Sequence, residues 1–424
     1  MSALAPRTAI GRTLVHIALA GVVAFLFLFQ PLPAVNRNWC AETTHVGHGL
    51  KYLLDIDSPA YLDIADEPEH LFVPFGEWRT RQMRPLYPLV ASVLAPLVRD
   101  VPGLRAMSTH PAYPAFALIN LATLVAVLGV FTALVGRSPR AWTLGTVVGL
   151  LLFSNDVAKV YTWTPHQQLF NLLEPLACAW LVREVACRPA LTTARTAGYA
   201  LGAGILLLAY GSFLLLLAAL LAGLLARVRG GEPLGRVAAA ALGVGAFPVP
   251  MLAWTLFVRH HAGQVYLGEI LECRDFVWMA DAWRRGGPMQ VARAFRVYSA
   301  NFFATFGREL VIPAFVALTA VVLRVAAWER TRAVLRDRRA TILACLFASA
   351  MNLVLYWLMG NARACYGARL TFAVFPPLLA AAAVVLSSVL EDARPATWRA
   401  ALIALVVFVA IAHTYVVAKV GPWC

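Results

Sequence analysis

A succession of long apolar runs, recurring from one end of the chain to the other, constrains it more than any single motif. A helix needs roughly 20 mostly apolar residues to cross a bilayer. Runs of about that kind fall near 14–35, 112–135, 141–155, 166–182, 197–210, 212–227, 237–257, 310–327, 341–359, 370–390 and 400–419. The expectation is an all-α polytopic membrane protein of about 11 transmembrane helices, one integral-membrane domain over residues 1–424. Apolar residues make up 60% of the chain and charged residues 14%, with mean hydropathy +0.70. Soluble domains are roughly 45–50% apolar and about 25% charged. The excess is spread over the whole length, which excludes a soluble enzyme with one anchor. Seven cysteines in 424 residues do not make a disulfide scaffold.

The run 197–226 is too long for one upright helix and short for two. Tyr210-Gly211-Ser212 is a cheap place for a turn, and the run is split there. Basic residues support the split. Net charge is +14, and only Lys51, Lys159 and Lys419 are lysines. The arginines sit in short gaps between apolar runs, a pattern of topology signals rather than of nucleic-acid binding. Arg7, Arg12, Arg137, Arg140, Arg183, Arg188, Arg195, Arg227, Arg229, Arg236, Arg324, Arg330, Arg332, Arg336, Arg338, Arg339, Arg394 and Arg399 fall on one side only if 197–227 crosses twice. The N-terminus is then cytoplasmic and the C-terminus external, with the first span an uncleaved signal anchor. Arg- and Ala-rich usage suggests a GC-rich bacterial genome, hence a bacterial inner membrane. No P-loop, GxGxxG, HExxH or CxxC pattern occurs.

Two long segments are expected outside, 36–110 and 258–309. The first holds nine of the 22 acidic residues, so chemistry that needs carboxylates is expected there. Cys40, Cys273, Cys365 and Cys424 would share the oxidising side, paired or unpaired. In the first segment, Leu54-Asp55-Ile56-Asp57-Ser58-Pro59-Ala60-Tyr61-Leu62 reads as a short helix from Ser58 onward, with Asp57 or Ser58 at its cap and Pro59 in its first turn. The plain alternative is that Asp57 merely caps. Arg84-Pro85-Leu86-Tyr87-Pro88-Leu89, with the apolar residues after it, is too short and proline-punctuated to span. It suits an interfacial helix.

An acid just past the first span, then Tyr61-Leu62-x-x-Ala65, then Arg84-Pro85-Leu86-Tyr87-Pro88-Leu89, resembles the first external loop of GT-C glycosyltransferases. These integral-membrane enzymes use polyprenyl-phosphate sugars and include the protein O-mannosyltransferase-like and aminoarabinose-transferase-like groups. Tyr161-Thr162-Trp163-Thr164-Pro165-His166-Gln167-Gln168, the broken pair at Gly211, and Tyr366-Gly367-Ala368-Arg369-Leu370-Thr371-Phe372 resemble later segments of the family in matching order. The family often shows adjacent acids at the loop start, whereas here Ile56 separates Asp55 from Asp57.

The resemblance implies sugar transfer from a lipid phosphate to an acceptor hydroxyl on the external face. Such a reaction needs a base for the hydroxyl proton and cations for the departing phosphate. Asp57 is the first candidate base, with Asp55 second, and a single carboxylate base implies inversion at the anomeric carbon. Arginine grips phosphate with two charge-assisted bonds. Arg84, Arg369 and Arg274 are candidates, with snorkelling to headgroups or plain solvation as the alternatives. Arg284, Arg285, Arg293 and Arg296 are weaker ones. Tyr61, His166 and Gln167 complete the expected substrate contacts, with a plain hydrogen-bonded end residue as the alternative for His166. His260-His261 lacks metal-ligand spacing, and no metal or other cofactor is expected. Expected partners are membrane lipid, the lipid-linked sugar, and a glycan, lipid or protein acceptor. Glu174, inside a span, should face the bundle interior and a partner. Two other readings are a transporter or flippase of envelope lipids or sugars, and a non-catalytic GT-C-like subunit.

Overall fold

The computed structural model describes residues 8–31, 41–47, 50–55, 57–73, 81–101, 103, 108, 110–265, 277–306, 311–325, 328–359 and 370–419. The chain is an all-α integral membrane protein apart from one short hairpin. Seven helical segments are long and apolar enough to cross a bilayer: Ala9–Phe29, Tyr113–Val135, Gly211–Arg229, Leu234–Ala262, Arg339–Met359, Phe372–Leu390 and Pro395–Ala418. The remaining expected spans are shorter or more polar. Pro139–Phe153 and Val311–Ala320 are short apolar helices, Phe170–Cys187 carries Glu174, Arg183 and Glu184, and Thr193–Leu207 has only 15 residues.

Local chemistry sets the boundaries. Helix α1 (Ala9–Leu26) starts before the expected 14 because the Thr8 hydroxyl accepts from the Gly11 amide and caps it. Residues 41–55 are the exception to the all-α pattern. Strands β1 (Ala41–Gly47) and β2 (Leu50–Asp55) form an antiparallel hairpin in which Ala41 pairs with Asp55 and Thr44 with Tyr52. Buried Tyr52 packs 5.3 Å from the Tyr113 ring. Two amphipathic helices follow, as the sequence suggests: α2 (Ser58–Asp66) and α3 (Leu86–Val98). Val93 and Leu97 lie exposed on α3, a surface suited to lipid.

The bundle proper begins with α4 (Tyr113–Val135) and α5 (Pro139–Gly149). After them come α6 (Asp156–Tyr161), α7 (Phe170–Cys187), α8 (Thr193–Leu207) and α9 (Leu215–Arg229). Between α8 and α9 the chain breaks at Tyr210-Gly211, where the split was expected. Helices α10 (Leu234–Ala241) and α11 (Val249–Ala262) return along the outside of the bundle. The second expected loop is largely helical instead: α12 (Val277–Phe306) is two helices joined at Gly286-Gly287. Gly287 has φ 61° and ψ −153°, a region that excludes other residues. Helices α13 (Val311–Val325), α14 (Trp328–Asp337), α15 (Arg339–Met359), α16 (Phe375–Leu390) and α17 (Pro395–Ala418) complete the chain.

The arginine-bearing ends gather at one pole. Arg12 donates to the Arg137 carbonyl, Arg140 to the Ala393 carbonyl, Arg183 to the Ala133 carbonyl and Arg227 to the Val185 carbonyl. Arg227 also pairs with Glu232 at 2.5 Å. These bonds satisfy carbonyls in the last turns of helices or just past their ends. At the opposite pole lie α2, the start of α4, the 161–168 segment and the Tyr210 break. Between the poles Glu174 is fully buried and accepts from the Cys178 thiol at 2.9 Å, the interior placement expected of it.

Candidate active site

The site grows from the junction of β2 and α2. Asp55 ends the strand, and Asp57 occupies the N-cap position of α2. An Asp there ordinarily accepts from the helix's own first amides. This one makes no such bond. Its Oδ1 instead takes the Arg81 guanidinium at 2.7 Å, and its Oδ2 lies 3.3 Å from His166 Nε2. The plain capping reading of Asp57 therefore does not hold.

The two acids have different surroundings. Asp55 is buried; its Oδ1 accepts from the Asp57 amide at 3.0 Å and its Oδ2 from the Tyr161 hydroxyl at 3.3 Å. Both oxygens are committed to the local framework. The Asp57 side chain is 34% exposed, whereas those of Arg81 and His166 are 6% and 5% exposed. Asp57 is thus the open face of a buried cradle made by Arg81 and His166. Burial alone would raise its carboxyl, but Arg81 beside it and the bond from His166 outweigh that and hold it well below the usual carboxylate range.

His166 is oriented by its own backbone. Its Nδ1 accepts from the Gln168 amide at 3.0 Å, which leaves the ring proton on Nε2, facing Asp57. With both nitrogens engaged, this imidazole orients Asp57 rather than taking a proton itself. Its ring packs against Tyr161 and Tyr61, with centroids 4.9 and 5.7 Å away. Arg81 lies 4.6 Å over the Tyr61 ring, a cation–π contact that fixes its direction. Buried Tyr61 stands edge-on to Tyr87 at 5.3 Å.

Arg84 is held by Tyr210 and Gln167. Its guanidinium lies 5.8 Å from the centre of the Tyr210 ring and donates to the Gln167 amide oxygen. In that amide orientation Gln167 donates to the Ala209 carbonyl at 2.8 Å and to the Tyr61 hydroxyl at 3.3 Å. The Leu86 amide donates to the Leu208 carbonyl at 3.1 Å, so the α8–α9 break anchors the start of α3.

Asp55, Asp57, Tyr61, Arg84, His166 and Gln167, all expected from the sequence, thus meet at one pole. Arg274 and Arg369 lie outside the described residues, as do Cys40, Cys273, Cys365 and Cys424. Among the described residues, Arg284, Arg285, Arg293 and Arg296 sit on α12. Arg81 and Tyr161 went unassigned. Arg81 belongs to Arg79-Thr80-Arg81-Gln82-Met83-Arg84, a run of three arginines in which charge alone does not single out the one that meets Asp57. Tyr161 stood at the head of a family-like motif, with no partner visible in sequence.

One oxygen each from Asp55 and Asp57 and a nitrogen of His166 lie within 4.8 Å of one another, a donor set that suits a divalent cation. Arg81 already occupies Asp57 Oδ1 and brings a positive charge that opposes a second cation there.

No protein-family model matches the chain, and no curated protein matches it. Two solved structures of the Archaeoglobus fulgidus oligosaccharyltransferase are similar to it. One, in complex with zinc and sulfate, has a TM-score of 0.45 and 13% identity over 95% of this chain and 53% of that one. The other, tethered to an acceptor peptide with the NVT sequon through a disulfide, has a TM-score of 0.39 and 12% identity over 96% and 56%. The chain spans about half the length of these neighbours.

Proposed function

We propose that the protein is a GT-C-type glycosyltransferase of the bacterial inner membrane, moving a sugar from a polyprenyl-phosphate donor to an acceptor hydroxyl on the external face. The observation that carries this reading is Asp57, freed from capping α2 and set in an Arg81–His166 cradle at the pole opposite the arginine-rich ends. The rule that positive charge stays inside makes the arginine pole cytoplasmic and the Asp57 pole external. The motifs around Asp57, Tyr61, Arg84, His166 and Gln167 resemble that family and come together in space.

In this reading the acceptor hydroxyl approaches the exposed face of Asp57, which takes its proton as the oxygen attacks the anomeric carbon. The sugar–phosphate bond breaks, and the charge growing on the phosphate is met by Arg81 and Arg84. Paired with Arg81, Asp57 is a weak base. A donor phosphate that draws Arg81 toward itself restores its basicity, so donor binding and base activation are coupled. Asp55 holds the loop, and Tyr61 and Gln167 line the approach. One carboxylate acting on one face gives inversion at the anomeric carbon. Arg81 supplies the charge that a divalent ion would bring, and the transfer is metal-independent. The acceptor is a glycan, a lipid or a protein hydroxyl.

The test uses purified protein with a labelled polyprenyl-phosphate hexose or pentose and a panel of hydroxyl acceptors. Transfer by the wild type, loss in Asp57→Asn with expression and folding intact, and partial retention in Asp55→Asn are expected. Cell-envelope glycans that stay unchanged in a strain carrying Asp57→Asn would overturn the proposal and favour a transporter or a non-catalytic subunit.

A further inference from the structure

We propose that Asn120 is a positioning residue of this site: its amide fixes the 161–164 segment, and with it Tyr161 and His166, against the Asp55–Asp57 pair. The catalytic consequence rests on the sugar-transfer reading; the positioning itself does not.

Asn120 sits in the middle of α4, 2% exposed, between apolar residues such as Phe116 and Leu124. A lone amide in such a helix is costly unless every polar atom is matched. Its Nδ2 donates to the carbonyls of Tyr161 at 3.1 Å, Thr162 at 3.3 Å and Thr164 at 2.9 Å. Its Oδ1 accepts from the Tyr87 hydroxyl at 2.9 Å.

The reason for this convergence lies in α6. That helix is only six residues long and ends at Tyr161, so the carbonyls that follow have no intrahelical partner. Away from water such groups must be satisfied by side chains. The Trp163 carbonyl is met by the Tyr113 hydroxyl at 2.7 Å, and Asn120 meets the carbonyls on either side of it. Helix α4 therefore holds four successive carbonyls of the segment between Tyr161 and His166. From the other side, Trp163 Nε1 donates to the Ala24 carbonyl of α1 at 2.7 Å.

The same amide also reaches the other half of the site. Tyr87 stands edge-on to Tyr61, and Tyr61 carries Arg81. One side chain thus ties the segment bearing His166 and Tyr161 to the helix that backs the arginine cradle. Without it the His166–Asp57 bond is expected to loosen, leaving Asp57 with Arg81 and the neighbouring Asp55.

The test pairs two variants with a readout that does not depend on turnover. Nitrogen-labelled histidine in the full-length protein, in lipid nanodiscs, reports which ring nitrogen carries the proton. His166→Gln identifies the signal. The wild type should show the Nε2-protonated form alone. Asn120→Ser should give a mixture of tautomers, and Tyr87→Phe, which removes a hydroxyl bonded to both the Asn120 side chain and the His166 backbone, a change in the same direction.

In the transfer assay Asn120→Ser should lower kcat about 10- to 100-fold with the donor KM little changed. The acid limb of its pH–rate profile should move to higher pH, because Asp57 has lost a stabilising partner. A folded Asn120→Ser protein whose His166 keeps the wild-type signal overturns the inference. If His166 responds as expected but the wild type transfers no sugar, the positioning stands and the sugar-transfer reading falls.

Discussion

Replacing Arg81 by glutamine removes the charge that Asp57 faces at 2.7 Å while keeping a polar, though shorter, side chain. Taking one partner from a buried ion pair costs about 3–5 kcal/mol, because the other charge is left unmatched. Asp57 is 34% exposed, and solvent screens part of that loss. About 2 kcal/mol is expected at pH 7, including the lost contact with the Tyr61 ring. The pH dependence gives the sharper test. The carboxyl of Asp57 is held below its unfolded value of 3.8, so the pair stabilises the fold fully above that value. The contribution is lost as the pH falls from there toward the depressed native value. The gap between wild type and Arg81→Gln should therefore be widest near neutrality and narrow below about pH 4. Thermal unfolding in a mild detergent, followed by tryptophan fluorescence across that range, measures it. A gap of the same size at all pH values, or no gap at neutrality, would falsify the assignment of Arg81 as the partner of Asp57.

Four further outcomes follow from the geometry. Tyr161→Phe deletes a hydrogen bond to Asp55 and should cost about 1 kcal/mol of stability; a melting temperature equal to that of the wild type contradicts the bond. Gly204→Ala should be poorly tolerated, since an added Cβ would lie 2.2 Å from the Phe247 carbonyl oxygen where α8 meets the turn before α11; a yield of folded protein matching the wild type refutes that close approach. Glu174→Gln keeps an acceptor for the Cys178 thiol and should leave sugar transfer within about twofold of wild type, because conservative polar replacement away from the reacting groups costs little; a large loss of rate would put Glu174 in the chemistry. Transfer should survive exhaustive chelation, with Arg81 in the place of a cation, whereas activity restored only by added divalent metal points to the Asp55–Asp57–His166 donor set.

Much of the site was legible because its residues sit in short motifs whose chemistry is local. Asp57 follows a strand and opens a helix, Tyr61 lies on the first turn, and His166 heads another helical turn. What bound them together was not legible. The hairpin that delivers Asp55 went unread because a few alternating residues around Thr43 and Thr44 are outweighed by the apolar runs on either side. Arg81 could not be told from Arg79 or Arg84 by charge alone. Asn120 looked like one polar residue in an apolar span, because the carbonyls it serves are more than 40 positions away. The break at Tyr210-Gly211 was readable, since glycine and charge bookkeeping agreed. The helices shorter than a full span were not, because their length is set by neighbours that cover their ends.

The last turn of α17 is fastened to the segment that leads to His166. Lys419 Nζ pairs with Asp156 at 3.0 Å, and buried Lys159 donates to the Lys419 carbonyl. Burial draws the Lys159 ammonium down to about 8, against the pull of Asp156. Trimming the chain by a handful of residues before Lys419 would therefore strip a counter-ion from Asp156 and an acceptor from Lys159 together. Damage from such a cut should surface first at Tyr161, one and a half helical turns along from Asp156, and not at the severed end.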